Sequence, residues 1–236
     1  LSCGRVELGV GLGYVPQDFN GYGLSVKQRV SRTDESLEIL TRCFRGERFS
    51  FTGKRYSAKN VIIKPDYVQP GGPPLWVAAS SKNGALRAAR FDAHLLPQGP
   101  YETTIQVWLD ELKSSGRNPD DYRVGIIKPC FVTDDKERDW PAIRAAERFR
   151  MEYYAQAFKD AGRGAPPDQD KVRISQNWVV GNVDHCVAEL SEFIKQNRIT
   201  DLVTWAVPPG LRPDAVNGSL ERFATEVAPR LKDAAS

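Results

Sequence analysis

Two serines, Ser80 and Ser81, stand where a short apolar run meets a helix-forming one. Leu75 to Ala79 reads as a buried strand, and the Ala/Leu/Arg run through Arg90 suits a helix. Either serine can cap that helix with its hydroxyl. The first N–H groups of the helix then point at the C-terminal end of the strand. Unpaired amides and the helix dipole make that place attractive to an anion. Ala78, Ala79, Ser80 and Gly84 are small enough to let a phosphate reach the main chain. An ordinary capped turn has the same signature, so this stretch alone leaves both readings open.

Other residue types offer less. His94 invites a role as general base, but a strand histidine bonded to a neighbouring backbone group is the plainer expectation. Trp178 and Trp205 could wall a pocket or simply fill a core. Lys128 sits inside strand-like sequence and makes a poor catalytic lysine for a lyase or isomerase. With two histidines, and four cysteines (Cys3, Cys43, Cys130, Cys186) that form no C-x-x-C pair, no metal site is expected. Reduced thiols in a cytoplasm are the simpler account of those cysteines. There is no G-x-S-x-G elbow, Walker loop or paired-carboxylate motif. Gly9-x-Gly11-x-Gly13 lacks the third glycine of a dinucleotide fingerprint, and Tyr14-Val15-Pro16 does not open a helix.

The elements that must position these residues alternate along the chain. Val6, Leu8, Val10 and Leu12 alternate with Glu7 and glycines, a period-2 strand open on one face. Val15 to Leu24 reads as a loop. Ser25-x-x-Gln28 resembles a capping box for a helix through Val30, Leu37, Leu40 and Phe44, with Gly46 as its stop. Arg29, Asp34, Glu35 and Glu38 are expected to be solvated or in local ion pairs. Glu47 to Pro73 holds short extended pieces around Gly53. Further strands are expected at Ala93–Pro97, at Val124–Val132 with an interruption at Lys128-Pro129, at Trp178–Gly181 and at Asp201–Val207. Helices are expected after each, including a long one with Ile143, Ala146, Phe149, Tyr153 and Phe158 on one face, and a terminal one through Leu220, Phe223, Val227 and Leu231. Gly162 to Asp170 is a loop by composition. This alternation predicts an α/β protein with a parallel sheet and one domain over residues 1–236.

The 236 residues are 41% hydrophobic and 27% charged, with a net charge of +3 spread along the chain. That balance gives no nucleic-acid footprint, and no apolar run approaches the ~18 residues of a membrane span.

Several of these stretches together resemble the bacterial luciferase-like flavin-dependent monooxygenases and oxidoreductases. Leu1-Ser2-Cys3-Gly4-Arg5-Val6-Glu7-Leu8-Gly9-Val10-Gly11-Leu12-Gly13 is similar to a strand of that family. Asp18-Phe19, Gly23, Arg29 and Glu35–Leu40 continue the pattern. Val77–Ser81 with Ala88-Ala89-Arg90-Phe91 resembles its phosphate-holding strand and helix, and Val180-Gly181-Asn182 and Phe223–Pro229 its ending. The resemblance implies the (β/α)8 TIM-barrel type, with about strands 4 to 8 present, so that an N-terminally truncated barrel is expected. It implies FMN, or alternatively an 8-hydroxy-5-deazaflavin coenzyme, as cofactor. The cofactor contacts it implies are Leu12, Tyr14, Ala79, Ser80, Ser81, Gly84 and Pro97, with Gln98 nearer ring or substrate. Some members carry arginine where Leu12 stands, and many read Asp-Gly-Trp where this chain has Asp92-Ala93-His94. The expected activity is a monooxygenase acting on a small organic substrate with reduced FMN and O₂. A separate flavin reductase, a cytoplasmic location and a homo-oligomer go with it. The alternatives are deazaflavin-dependent hydride transfer, and a non-catalytic flavin-binding or interaction remnant with exposed apolar edges at Val6–Leu12 and Leu202–Val207.

Overall fold

The Leu75–Ala79 run is a strand at the residues its composition suggests, and helix Lys82–Arg90 follows it directly. A computed structural model describes residues 2–160, 162 and 177–234. Most of the loop expected at Gly162–Asp170 lies outside the described residues. The chain divides into two compact units, Leu1–Val124 and Gly125–Ser236.

In the first unit, strand β1 (Leu8–Val10) is followed by helix α1 (Pro16–Gly21), a 3-10 turn (Val26–Gln28) and helix α2 (Arg29–Phe44). Then come strands β2 (Phe49–Thr52), β3 (Ser57–Val61) and β4 (Leu75–Ala79), helix α3 (Lys82–Arg90), strand β5 (His94–Pro97) and helix α4 (Tyr101–Ser114). The sheet has the order β1-β4-β5 and is parallel; β2 and β3 form a separate antiparallel pair. Leu37 of α2, Leu95 of β5, and Trp108 and Leu112 of α4 are fully buried.

Three expectations fail here. Only Leu8–Val10 of the Val6–Leu12 alternation is strand. The expected loop at 15–24 contains α1, because Pro16 starts a helix without needing its missing N–H. Ser25 makes no capping box for α2: its Oγ accepts the Lys27 amide and begins the 3-10 turn.

The charges of α2 do more than meet water, contrary to expectation. Asp34 accepts from Arg87 Nε at 2.5 Å and lies 3.0 Å from Arg90 Nη2, tying α2 to α3. Glu35 accepts the amides of Lys54, Arg55 and Tyr56 at 2.9, 2.8 and 2.9 Å, closing the β2–β3 turn. A Cβ on Gly53 would sit 2.4 Å from that carboxylate, so glycine keeps the approach open. Burial alone would raise the Glu35 carboxyl, but the amides of Arg55, Tyr56 and Lys54 outweigh it and hold it below its ordinary 4.5. A carboxyl depressed by folding stabilises fully above its unfolded value and loses that contribution as pH falls through the folded one. The 54–56 amides are therefore expected to gain faster hydrogen exchange as pH drops below about 4.5, after correction for intrinsic rates. In Glu35→Gln the protection should already be reduced at neutral pH.

The second unit begins with strand β6 (Gly125–Val132) and the long helix α5 (Lys136–Asp160). Strand β7 (Val179–Gly181), helix α6 (Val183–Gln196), strand β8 (Asp201–Trp205) and helix α7 (Pro213–Arg222) follow. A π-helical turn (Phe223–Val227) and helix α8 (Ala228–Ala234) close it. The sheet is parallel, in the order β7-β6-β8, and neither three-stranded sheet closes on itself.

Pro129 does not interrupt β6. Residues 125–129 pair with β8 and 130–132 with β7, so the proline's missing N–H falls where the ladder changes partner. On α5, Ile143 and Ala146 are buried as spacing suggests and Phe158 is half-buried, but Phe149 and Tyr153 are 66% and 69% exposed, and Glu147 and Ala157 are buried instead. The terminal helix runs on without a gap but holds a π turn. Pro229 has no N–H for the Thr225 carbonyl, and the chain widens into the π turn just before it. Val6, Val203 and Val207 are about half exposed, within the two stretches expected to show apolar edges.

Candidate functional site

Strand register divides the β1-β4-β5 sheet into two faces. Leu75, Val77 and Ala79 of β4, with Leu95 and Pro97 of β5, are buried. Helix α3 packs on Ala79: a Cβ on Gly84 would lie 3.0 Å from the Ala79 Cβ and 3.1 Å from its Cα. The other face carries Gly9 beside Trp76 beside His94, then Ala78 beside Leu96. Its residues shrink toward the C-terminal end of the strands, where a Cβ on Gly11 would meet only the Ala78 methyl, at 3.8 Å.

At that end lies the β4–α3 turn. Ser81 caps α3, its Oγ accepting the Gly84 amide at 3.3 Å, and the Ser81 carbonyl accepts from Ala85. The Gly84 amide is thereby occupied. Among the described residues, no partner takes the amides of Lys82 and Asn83, nor a proton from the exposed Ser80 hydroxyl. The helix has nine residues and its dipole points positive here. Two main-chain donors and two serine hydroxyls therefore face solvent around a small-residue turn, an arrangement suited to a phosphate. The Asp34–Arg87 pair, 53 residues apart in sequence, fixes α3 from its far side. Burial would raise the Asp34 carboxyl, and hydrogen bonds from Arg87 and Arg90 bring it below its ordinary value instead.

The remaining predicted contacts fall into two groups. Leu12 and Tyr14 are half-buried and follow β1 at the same end of the sheet; Gly13 between them has φ +68°. Ala79 and Pro97 offer less than expected. Both side chains are buried, the Ala79 carbonyl accepts from the Gln98 amide at 2.8 Å, and the Pro97 carbonyl accepts from Gln98 Nε2. Gln98, the residue just after β5, is exposed beside the turn and is able to meet a ligand.

His94 is excluded from this place. It is the first residue of β5, at the opposite end from the serines, and its Nδ1 accepts the Arg123 amide at 3.2 Å. Trp178 is core, packed with Phe131, Ile143, Val180 and Val216. Trp205 ends β8 and is 36% exposed. A cavity of about 740 Å³ lies at the N-terminal ends of β4 and β5, away from the serines. Its arginines 45, 90 and 117 are paired with Glu47, Asp34 and Asp92, so it offers no open charge. Among the described residues no His, Cys, Asp or Glu cluster could hold a metal, and no helix is long and apolar enough to cross a membrane.

Sequence reasoning missed the Asp34–Arg87 tie and the Glu35 turn, since nothing in spacing announces partners so far apart. It also counted Gly84 among the phosphate contacts, and the serine cap takes that residue's amide.

The family model described as luciferase-like monooxygenase matches residues 1–200. An F420-dependent glucose-6-phosphate dehydrogenase from Rhodococcus hoagii is 35% identical, over 98% of this chain and 71% of its own length. The 4-hydroxyprotoasukamycin monooxygenase of Streptomyces nodosus is 25% identical, over 98% of this chain and 66% of its own. The crystal structure of monooxygenase RslO1 from Streptomyces bottropensis superposes with a TM-score of 0.78 at 20% identity, over 97% of this chain and 69% of that one. Another curated relative aligns over only 40% of its own length. Parallel strands each leading into a helix are the family's β/α-barrel type. The chain belongs to the luciferase-like monooxygenase family.

Proposed function

We propose that this chain is a flavin-dependent oxidoreductase of one luciferase-like domain, a monooxygenase that uses reduced FMN and O₂ on a small organic substrate. The observation that carries this reading is the pair of open amides at Lys82 and Asn83, at the strand end of a chain from this family. These amides and the Ser80 and Ser81 hydroxyls would hold the FMN phosphate. Leu12 and Tyr14 would flank the chain that leads from it, and Gln98 would lie toward the ring. The bound flavin supplies the electrons that oxygen needs. The protein's part is to anchor the anionic tail, orient the ring over the small-residue face and keep water away. Reduced FMN would come from a separate flavin reductase, and a homo-oligomer in the cytoplasm belongs to the same reading.

The Rhodococcus relative favours a second reading, in which an 8-hydroxy-5-deazaflavin coenzyme occupies the same turn and moves hydride without oxygen. Two charge-assisted amide bonds of ~1.5–3 kcal/mol each make the phosphate worth about 100-fold or more in affinity. FMN is therefore expected to bind at least about 100-fold more tightly than riboflavin by fluorescence titration. Ser81→Ala should remove about ten-fold by loosening the cap. Turnover with a flavin reductase, NAD(P)H and O₂ supports the monooxygenase; anaerobic reduction of the deazaflavin by an organic donor supports the second reading. Binding of neither coenzyme defeats both.

A further inference from the structure

In the second unit, a carboxylate is planted in the apolar stripe of α5. Glu147 is 1% exposed and shares the buried face with Ile143, Ala146 and Ala157. Its two oxygens accept from Arg150 in a fork, Nε to Oε2 at 2.9 Å and Nη2 to Oε1 at 2.5 Å. The guanidinium lies 4.8 Å from the centre of the Trp205 ring and 5.6 Å from that of Tyr154. An arginine has five N–H donors. Two go to Glu147, and the other three make no hydrogen bond among the described residues. The Arg150 side chain is 18% exposed, against 2% for Glu147, so the arginine is the member of the pair that reaches solvent.

A buried ion pair contributes little net stability compared with apolar residues of the same size. This one sits where β/α proteins keep functional groups, since Trp205 is the last residue of β8. Beside it on the same face, Val203 pairs with Ile127, and the two are 54% and 43% exposed. A rigid cation thus stands next to an open apolar strip headed by an indole.

The geometry points to an anion subsite: Arg150, held in place by Glu147, binds the acid group of a small organic monoanion whose flat apolar body lies on Trp205. Glu147 is a positioning residue, because it spends its oxygens on the arginine. Lysine could not do the same work, since one ammonium held by Glu147 has no second edge to present. The inference rests on the proposed function only in naming that anion the substrate.

Benzoate and benzamide, a charged and a neutral probe of the same shape, test it by calorimetric titration of the whole chain. Benzoate is expected to bind at least about ten-fold more tightly than benzamide, a margin that one charge-assisted hydrogen bond supplies. Arg150→Met should abolish the preference and leave benzamide binding unchanged. Because that variant strands a buried carboxylate, the neutral pair Glu147→Gln/Arg150→Met, checked by its melting curve, repeats the measurement. Arg150→Lys, which keeps the charge and the Glu147 contact, should also lose most of the preference. Equal binding of the two probes by the unmodified chain, no binding of either, or a preference retained in any folded variant at position 150 overturns the subsite. Parallel FMN titrations separate the two claims. A benzoate preference without FMN binding would leave the anion site standing and remove only its designation as substrate site.

Discussion

Gly84→Val is expected to destabilise the first unit by about 3 kcal/mol and to weaken coenzyme binding at least ten-fold. The Cβ alone would lie 3.0 Å from the Ala79 Cβ and 3.1 Å from its Cα. The second contact is with backbone, so no rotamer change relieves it. Helix α3 must lift from β4, and two further methyl groups enlarge the shift. Replacing glycine within a helix returns at most about 1 kcal/mol through propensity, less for a β-branched residue. The open amides of Lys82 and Asn83 are the first two of that helix, so the shift moves the phosphate donors with it. Gly84→Ala should show the same two effects at a smaller scale, with stability falling by about 1 kcal/mol. Urea unfolding followed by tryptophan fluorescence, together with FMN titration, measures both. Unchanged binding in a destabilised Gly84→Val would separate the helix position from the coenzyme site.

Asp34→Ala is expected to cost about 2 kcal/mol. Arg87 is 8% exposed and would lose its carboxylate; a fully buried pair broken this way costs roughly 3–5 kcal/mol. The smaller figure reflects Asp34, which is 29% exposed. Arg87→Met should cost less, about 1 kcal/mol, because Arg90 at 3.0 Å still serves Asp34. The double variant should be milder than the sum of the two. Urea is the denaturant of choice, since a guanidinium salt would screen the pair. The Asp34 carboxyl is depressed in the folded chain, so its contribution is full above the ordinary value of 3.8 and is lost as pH falls through the lowered one. The difference between parent and Asp34→Ala should therefore shrink in acid.

The parts of the fold legible in sequence were those decided locally. Leu75–Ala79 is bounded by prolines and serines and buried at nearly every position, so its limits follow from composition. The Ser81 cap and the Gly46 stop are short-range chemistry, and they stand in the structure. The terminal helix hid its π turn because the periodicity of its apolar residues survives the bulge. Helix α1 hid in Gly- and Asn-rich sequence because six residues opened by a proline are too few to show a period. Glu35, Asp34 and Glu147 were illegible for another reason. A carboxylate on a helix looks the same whether water or a distant backbone solvates it. Only the fold brings residues 54–56, Arg87 and Trp205 to the places where they count. The resemblance singled out the β4–α3 turn as the phosphate site, but which amides stay open there depends on which one the serine takes.

The account stands on main-chain donors at the β4–α3 turn holding the coenzyme's phosphate. Amide chemical shifts followed while FMN is added, with riboflavin as the control, test that directly. The predicted result is large shifts at Lys82 and Asn83 with FMN and little change there with riboflavin. FMN binding that leaves those two amides unmoved would contradict it.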